Sequence, residues 1–170
     1  MTLEQELAIV VAVVAAACDL KTRKIPNLLT FGSVAVALGL HAYSGGWPGL
    51  GLSVVGWVVG LALFFPFFAL GGLGAGDVKL LAAVGAFLGP WATVWVALFT
   101  SIAGGAMAVV VALYSGYLRR AFVNRWCLVM YGRLEGARPA PEMTLATNQG
   151  PRLAYAVPVL AGLVLTLWLR

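Results

Sequence analysis

Apolar runs over residues 3–18, 28–43, 50–70, 91–117 and 153–169 constrain this chain more than any other feature of it. Runs of this length need a large protein core or a bilayer of about 30 Å to hide in. The chain has 170 residues, 62% of them hydrophobic and 10% charged, whereas a soluble domain carries about 45–50% apolar and about 25% charged residues. The expected fold is therefore an all-α integral membrane protein. A shorter run, 78–88, closes at Gly89-Pro90 and supplies a short fourth span, which brings the count to about six transmembrane helices. The polar stretch 119–151 is too small and too rich in arginine to bury a core, so residues 1–170 read as a single membrane-embedded domain with one basic loop.

Charge then suggests an orientation. With six spans, Lys21, Arg23, Lys24, Lys79, Arg119, Arg120, Arg125, Arg133, Arg138 and Arg152 fall on one side, and Arg170 falls on the other with Glu4 and Glu6. The positive-inside rule makes the basic side cytoplasmic and puts both termini outside. The net charge of +5 is accounted for by loops facing anionic lipid, and gives no reason to invoke nucleic acid. Within the loop, Val123, Cys127, Met130 and Leu134 recur at helical spacing beside Phe122 and Trp126, the pattern of an interfacial helix. The first run has no basic residue before it, which argues against a cleavable signal.

Ionisable groups at the edge of an apolar span are costly enough to require a reason. Glu4, Glu6, Glu135 and Glu142 sit at an end or in the loop, where water solvates them. Asp19 closes the first run and Asp77 opens the fourth, at equal depth on the basic side. Two carboxylates so placed can hydrolyse an amide: one ionised to take a proton from water, the other protonated to polarise the carbonyl. Helix-end dipoles favour an anion at Asp77 and oppose one at Asp19, so the expected base is Asp77 and the initial acid Asp19. Gly71, Gly72, Gly74 and Gly76 leave room beside Asp77 for an extended peptide backbone. The plainer reading of those glycines is a turn, with Asp77 as a helix N-cap. Lys79 either stabilises the Asp77 anion or anchors the loop; Asn27 is expected to cap the second span after a turn at Pro26, with Ile25 packing and Lys24 in a supporting place.

Those residues carry a resemblance. Gly74-Ala75-Gly76-Asp77-Val78-Lys79-Leu80 resembles the GxGD segment of the type IV prepilin peptidase family, and Asp19 followed by Lys24-Ile25-Pro26-Asn27 resembles that family's first aspartate motif. Residues 155–162, Tyr-Ala-Val-Pro-Val-Leu-Ala-Gly, are similar to its final proline-containing span. The resemblance implies an aspartic endopeptidase of the bacterial inner membrane that removes a short basic leader from prepilins. Its catalytic pair would be Asp19 and Asp77, with Gly74, Gly76, Lys79, Lys24 and Asn27 supporting or binding substrate, and no metal or other cofactor. Longer family members carry paired CxxC motifs and also methylate the new N-terminus. Here Cys18 and Cys127 make no such pair, so N-methyltransferase activity is not expected. This short form is similar to the peptidases of tight-adherence (Flp) pilus systems, which implies Flp-type pilins or pseudopilins as substrates.

Other chemistries fit less well. A serine protease would have to use His41, the single histidine, without a GxSG motif, and a metalloprotease would lack HExxH. The alternatives from other classes are a small proton- or cation-coupled transporter using the aspartates as a relay, and a non-catalytic pilus or secretion assembly subunit. Small-residue spacings such as Gly32 with Val36 permit close helix packing without deciding an oligomeric state.

Overall fold

A computed structural model describes residues 2–70, 72–114 and 154–169. The described residues form five helices: α1 (Leu3–Thr22), α2 (Asn27–Ala69), α3 (Ala75–Leu88), α4 (Pro90–Tyr114) and α5 (Ala156–Trp168). Two compact units are present, one of Met1–Gly105 with Ala154–Arg170 and the other of Ala106–Leu153. In the second unit the described part is the end of α4. The expected interfacial helix around Phe122, Trp126 and Cys127 lies outside the described residues, as do Gly71 and Arg170.

α1 starts at Thr2, whose N–H donates to Gln5 Oε1 at 3.0 Å, with Glu4 and Glu6 in the first turn, where the dipole favours acids. Ala8, Ala12, Ala15 and Ala16 are buried at near-helical spacing, a flat stripe that lets α1 lie close to α3 and α5. The helix stops at Arg23, which turns left-handed (φ 54°) and gives its N–H to the Asp19 carbonyl at 2.9 Å.

α2 is broken at Gly46, whose φ of 58° and ψ of −145° suit glycine. Gly49 then packs so closely on the His41 carbonyl that a Cβ there would overlap it. The arm before the break runs parallel to α3: Asn27 meets Lys79, and His41 Nε2 lies 3.0 Å from the Phe87 carbonyl, a contact in which the ring N–H donates. The arm after it runs antiparallel, with Ser53 donating to the Ala86 carbonyl at 2.7 Å, Gly56 against Gly85 and Gly60 against Ala82. α3 thus lies between the arms, and Val78 and Leu80 through Phe87 are all buried. A helix apolar all round is the kind a core encloses. Gly89 (φ 77°) ends α3 and Pro90 opens α4, the order that helix termini favour. Gly162 of α5 sits against Thr100 of α4 with no room for a side chain.

The six-span expectation is corrected by this arrangement. Among the described residues, two helices are long and apolar enough to cross a membrane, Asn27–Ala69 and Pro90–Val111. Runs 28–43 and 50–70, read as separate spans, lie on the two arms of Asn27–Ala69, which meet at the break at Gly46. α1 carries Glu4, Glu6, Asp19 and Lys21, which leave an uncharged stretch of roughly 18 Å at 1.5 Å per residue. α3 and α5, with 14 and 13 residues, reach roughly 20 Å. The multi-pass topology, with both termini outside and every basic loop on the cytoplasmic face, falls with the span count on which it rested.

Candidate active site

Asp19 lies in the last turn of α1 and Asp77 in the first turn of α3, and both are buried, at 7% and 8% exposure. Gly74, with an extended backbone, is the N-cap of α3, so Asp77 stands three residues inside and is not the cap itself. Its Oδ2 reaches back to accept the Gly74 N–H at 3.2 Å, satisfying one of the amides that a helix start leaves open. A side chain on Gly74 would press on that same oxygen. Asp19 has a main-chain donor too: its Oδ2 accepts the Ala156 N–H from the start of α5 at 3.3 Å.

Burial pushes the Asp77 carboxyl up from an ordinary 3.8 to about 6, the charge of Asp19 adds to the rise, and the Gly74 amide opposes it. Both aspartates lie outside the two membrane-length helices. The rise corresponds to about 3 kcal/mol against ionisation. A helix N-terminus offers roughly 0.3–1 kcal/mol the other way, so burial beats the dipole. The Asp77 carboxyl thus resists ionisation, against the direction that its helix-end dipole favours.

The segments around the aspartates pack side by side. Lys79 Nζ donates to Asn27 Oδ1 at 3.0 Å and stands 5.3 Å above the Phe31 ring, so its ammonium is directed along α2. Asn27 does not cap α2 as expected; Pro26 is the N-cap, and the Asn27 side chain is taken by Lys79. A Cβ on Gly76 would meet the Ile25 side chain at 3.4 Å, which brings the 24–27 and 74–79 segments into contact. Lys24 is exposed, and its carbonyl accepts the Thr22 hydroxyl at 3.1 Å. His41, tied to the far end of α3, is remote from the pair.

The sequence marks Tyr155 only as the first residue of the 155–162 segment, with no role of its own. Its phenol is held above its ordinary range by burial first and by the Asp77 charge second. Nothing in local spacing could have signalled it, since 137 positions separate Asp19 from its donor Ala156. Among the described residues, no group of three or more His, Cys, Asp and Glu gathers to hold a metal. Two buried carboxylates, one of which resists ionisation, can act as a general acid and base on one substrate.

Residues 7–109 match the type IV leader peptidase family, a segment that contains both aspartates and runs from α1 into α4. The chain belongs to that family. It is similar to the prepilin leader peptidase/N-methyltransferases of Burkholderia pseudomallei strains 1026b and K96243, each 34% identical over 110 residues. That alignment covers 61% of this chain and 35% of each relative, so the chain spans about a third of the length of the curated relatives it matches. No solved structure matches it.

Proposed function

We propose that this type IV leader peptidase family chain hydrolyses the peptide bond that joins a short basic leader to the apolar segment of a prepilin, with Asp19 and Asp77 as the catalytic pair. The observation that carries the reading is the pair of buried carboxylates at two helix ends, Asp19 in the last turn of α1 and Asp77 in the first turn of α3, with burial and the Asp19 charge pushing Asp77 up to about 6. Asp19, as the base, takes a proton from a water; the hydroxide attacks the scissile carbonyl while Asp77, as the acid, gives its proton to the carbonyl oxygen. Collapse of the tetrahedral intermediate returns that proton to Asp77, and Asp19 protonates the leaving amine. The arrangement is then as it was before the turnover.

The glycines before Asp77 support the same reading. Gly74 is exposed and carries no side chain, which leaves room for a substrate backbone beside Asp77, while Gly76 is half-buried against Ile25. We assign the chain the peptidase activity without N-methylation, because Cys18 and Cys127 do not form paired CxxC motifs. A Flp-type prepilin is the first substrate to test.

The test is co-expression with such a prepilin, followed by the mass of the product, for the native chain, Asp19→Asn and Asp77→Asn. Asparagine keeps the size and can still accept the main-chain amides, but it cannot exchange the proton. Leader loss with the native chain and an intact prepilin with both variants is expected, and an added methyl group would show in the product mass. Cleavage that survives both substitutions sinks the aspartate pair. A native chain that leaves several prepilins intact favours the relay or assembly alternatives.

A further inference from the structure

The N-terminus of α5 meets the carboxylate pair at two consecutive residues. Ala156 donates its main-chain N–H to Asp19 Oδ2, and Tyr155, just before it, is lodged between helices from elsewhere in the chain. The Tyr155 ring meets Phe64 of α2 edge-on at 6.1 Å, and its hydroxyl end lies so close to Gly104 of α4 that a Cβ there would overlap it. Phe64 is itself almost fully buried, so the ring rests on a firm wall. Neither Tyr155 nor Ala156 lies in the segment that matches the family.

An amide at the first position of a helix has no partner within that helix, and donating to a carboxylate satisfies it. Its direction depends on where the chain enters α5, and Tyr155 sets that point. We infer that Tyr155 is a positioning residue: wedged between Gly104 and Phe64, it holds the Ala156 amide on Asp19 and so keeps that carboxylate oriented toward Asp77.

Among the described residues, the groups that can bear on Asp19 are Asp77 and Lys79 from α3, Tyr155 from α5, and Cys18, Lys21, Arg23 and Lys24 from the end of α1 and the turn after it. α2 contributes His41 and Tyr43, at the opposite end of α3 from Asp77. Lys79 is engaged by Asn27. The Tyr155 phenol, held above its ordinary range by burial and by the Asp77 charge, stays neutral and adds no second negative charge to the pair.

The catalytic consequence rests on the proposed peptidase reading; the geometry does not, and the experiment separates them. Asp19 and Asp77 are the only aspartates in the sequence, so isotope labelling of aspartate carboxyls yields two NMR signals, assigned with Asp19→Asn and Asp77→Asn. In the native chain in detergent, the Ala156 amide shift is expected to move with the same pH midpoint as the Asp19 carboxyl. Tyr155→Phe keeps the wedge and should keep that link. Gly104→Ala and Tyr155→Leu should break it with helix content retained, and lower kcat for prepilin cleavage by roughly tenfold or more while KM stays within about twofold.

A native Ala156 amide that ignores the Asp19 titration overturns the proposal, whatever the variants do and even if Gly104→Ala fails to fold. A link that persists in folded Gly104→Ala and Tyr155→Leu overturns the role of Tyr155. If the link is present but no prepilin is cleaved, the peptidase reading fails and the positioning of Asp19 stands.

Discussion

Lys79 Nζ and Asn27 Oδ1 meet at 3.0 Å, joining the first turn of α2 to the first turns of α3 through residues 52 positions apart. The ammonium also lies over the Phe31 ring, one turn along α2. The bond closes the gap between the segment that follows Asp19 and the segment that contains Asp77, and Gly76 against Ile25 closes the same gap from the apolar side. Its job is to keep two chain segments in register at the mouth of the carboxylate pair.

Breaking that bond should cost little in stability and show as coupling. An exposed bond with one charged member is worth about 1 kcal/mol. Lys79→Met and Asn27→Leu should each lower stability by roughly that amount, and the double variant should lose less than the sum, giving a coupling of about 0.5–1.5 kcal/mol. Thermal unfolding of the four proteins in one detergent measures it. Strict additivity would mean that the two side chains act apart.

The close approach of α2 to α3 makes a sharper prediction. Gly56 and Gly85 lie with each one's would-be Cβ on the other's carbonyl, so Gly56→Ala or Gly85→Ala must push the helices apart. The expected loss is about 1–3 kcal/mol or more, since overpacked cores rarely relax fully. Gly32, also in α2, has nothing within 4 Å of its would-be Cβ. Gly32→Ala should be neutral or raise stability by up to about 1 kcal/mol, because alanine suits a helix interior better. Equal melting temperatures for Gly32→Ala and Gly85→Ala would show that the helix contact is not what sets stability there.

The local placement of the site was legible in the sequence, and its long-range support was not. Apolar runs marked the helices, and the glycine run before Asp77 marked the start of α3, so both aspartates stand at helix ends where the residues alone put them. What misled was treating apolar length as a count of membrane crossings. Residues 44–49 read as a loop between spans, and there the single left-handed Gly46 makes the turn between the two arms of α2. The weights at the carboxylates also needed the fold. A helix dipole can be read from sequence position, but the burial that outweighs it at Asp77 comes from neighbours such as α1 and α5, which pack on α3 from distant parts of the chain. Tyr155 and Ala156 reach the site only through that packing.

Activity should report the Asp77 proton. With Asp77 as the acid and its pKa about 6 in the free protein, kcat/KM for leader cleavage should fall as pH rises through about 6, approaching tenfold per pH unit well above it. Cleavage of a detergent-solubilised prepilin across pH 5–9, limited to the range where circular dichroism is unchanged, gives the profile. A rate that climbs steadily to the alkaline end would remove Asp77 from the acid's role and return it to the base's.

Stability should report the same proton with no substrate at all. Burial pushes the Asp77 carboxyl from its ordinary 3.8, the value for the unfolded chain, up to about 6 in the folded one. Below the lower value both states hold the proton and its contribution is fully present. Between the two, the unfolded chain releases the proton while the folded chain keeps it, so stability falls as pH rises; above about 6 the loss is complete, at up to about 3 kcal/mol. Asn at this position cannot ionise, and its side-chain oxygen can still accept the Gly74 amide. Asp77→Asn should therefore match the native chain at pH 4 within about 0.5 kcal/mol and exceed it at pH 8 by roughly 1–3 kcal/mol, as read by unfolding in the same detergent. A variant no more stable than the native chain at pH 8 would mean that the Asp77 charge is stabilised in the fold, and the proton assignment on which the hydrolytic mechanism depends would fail with it.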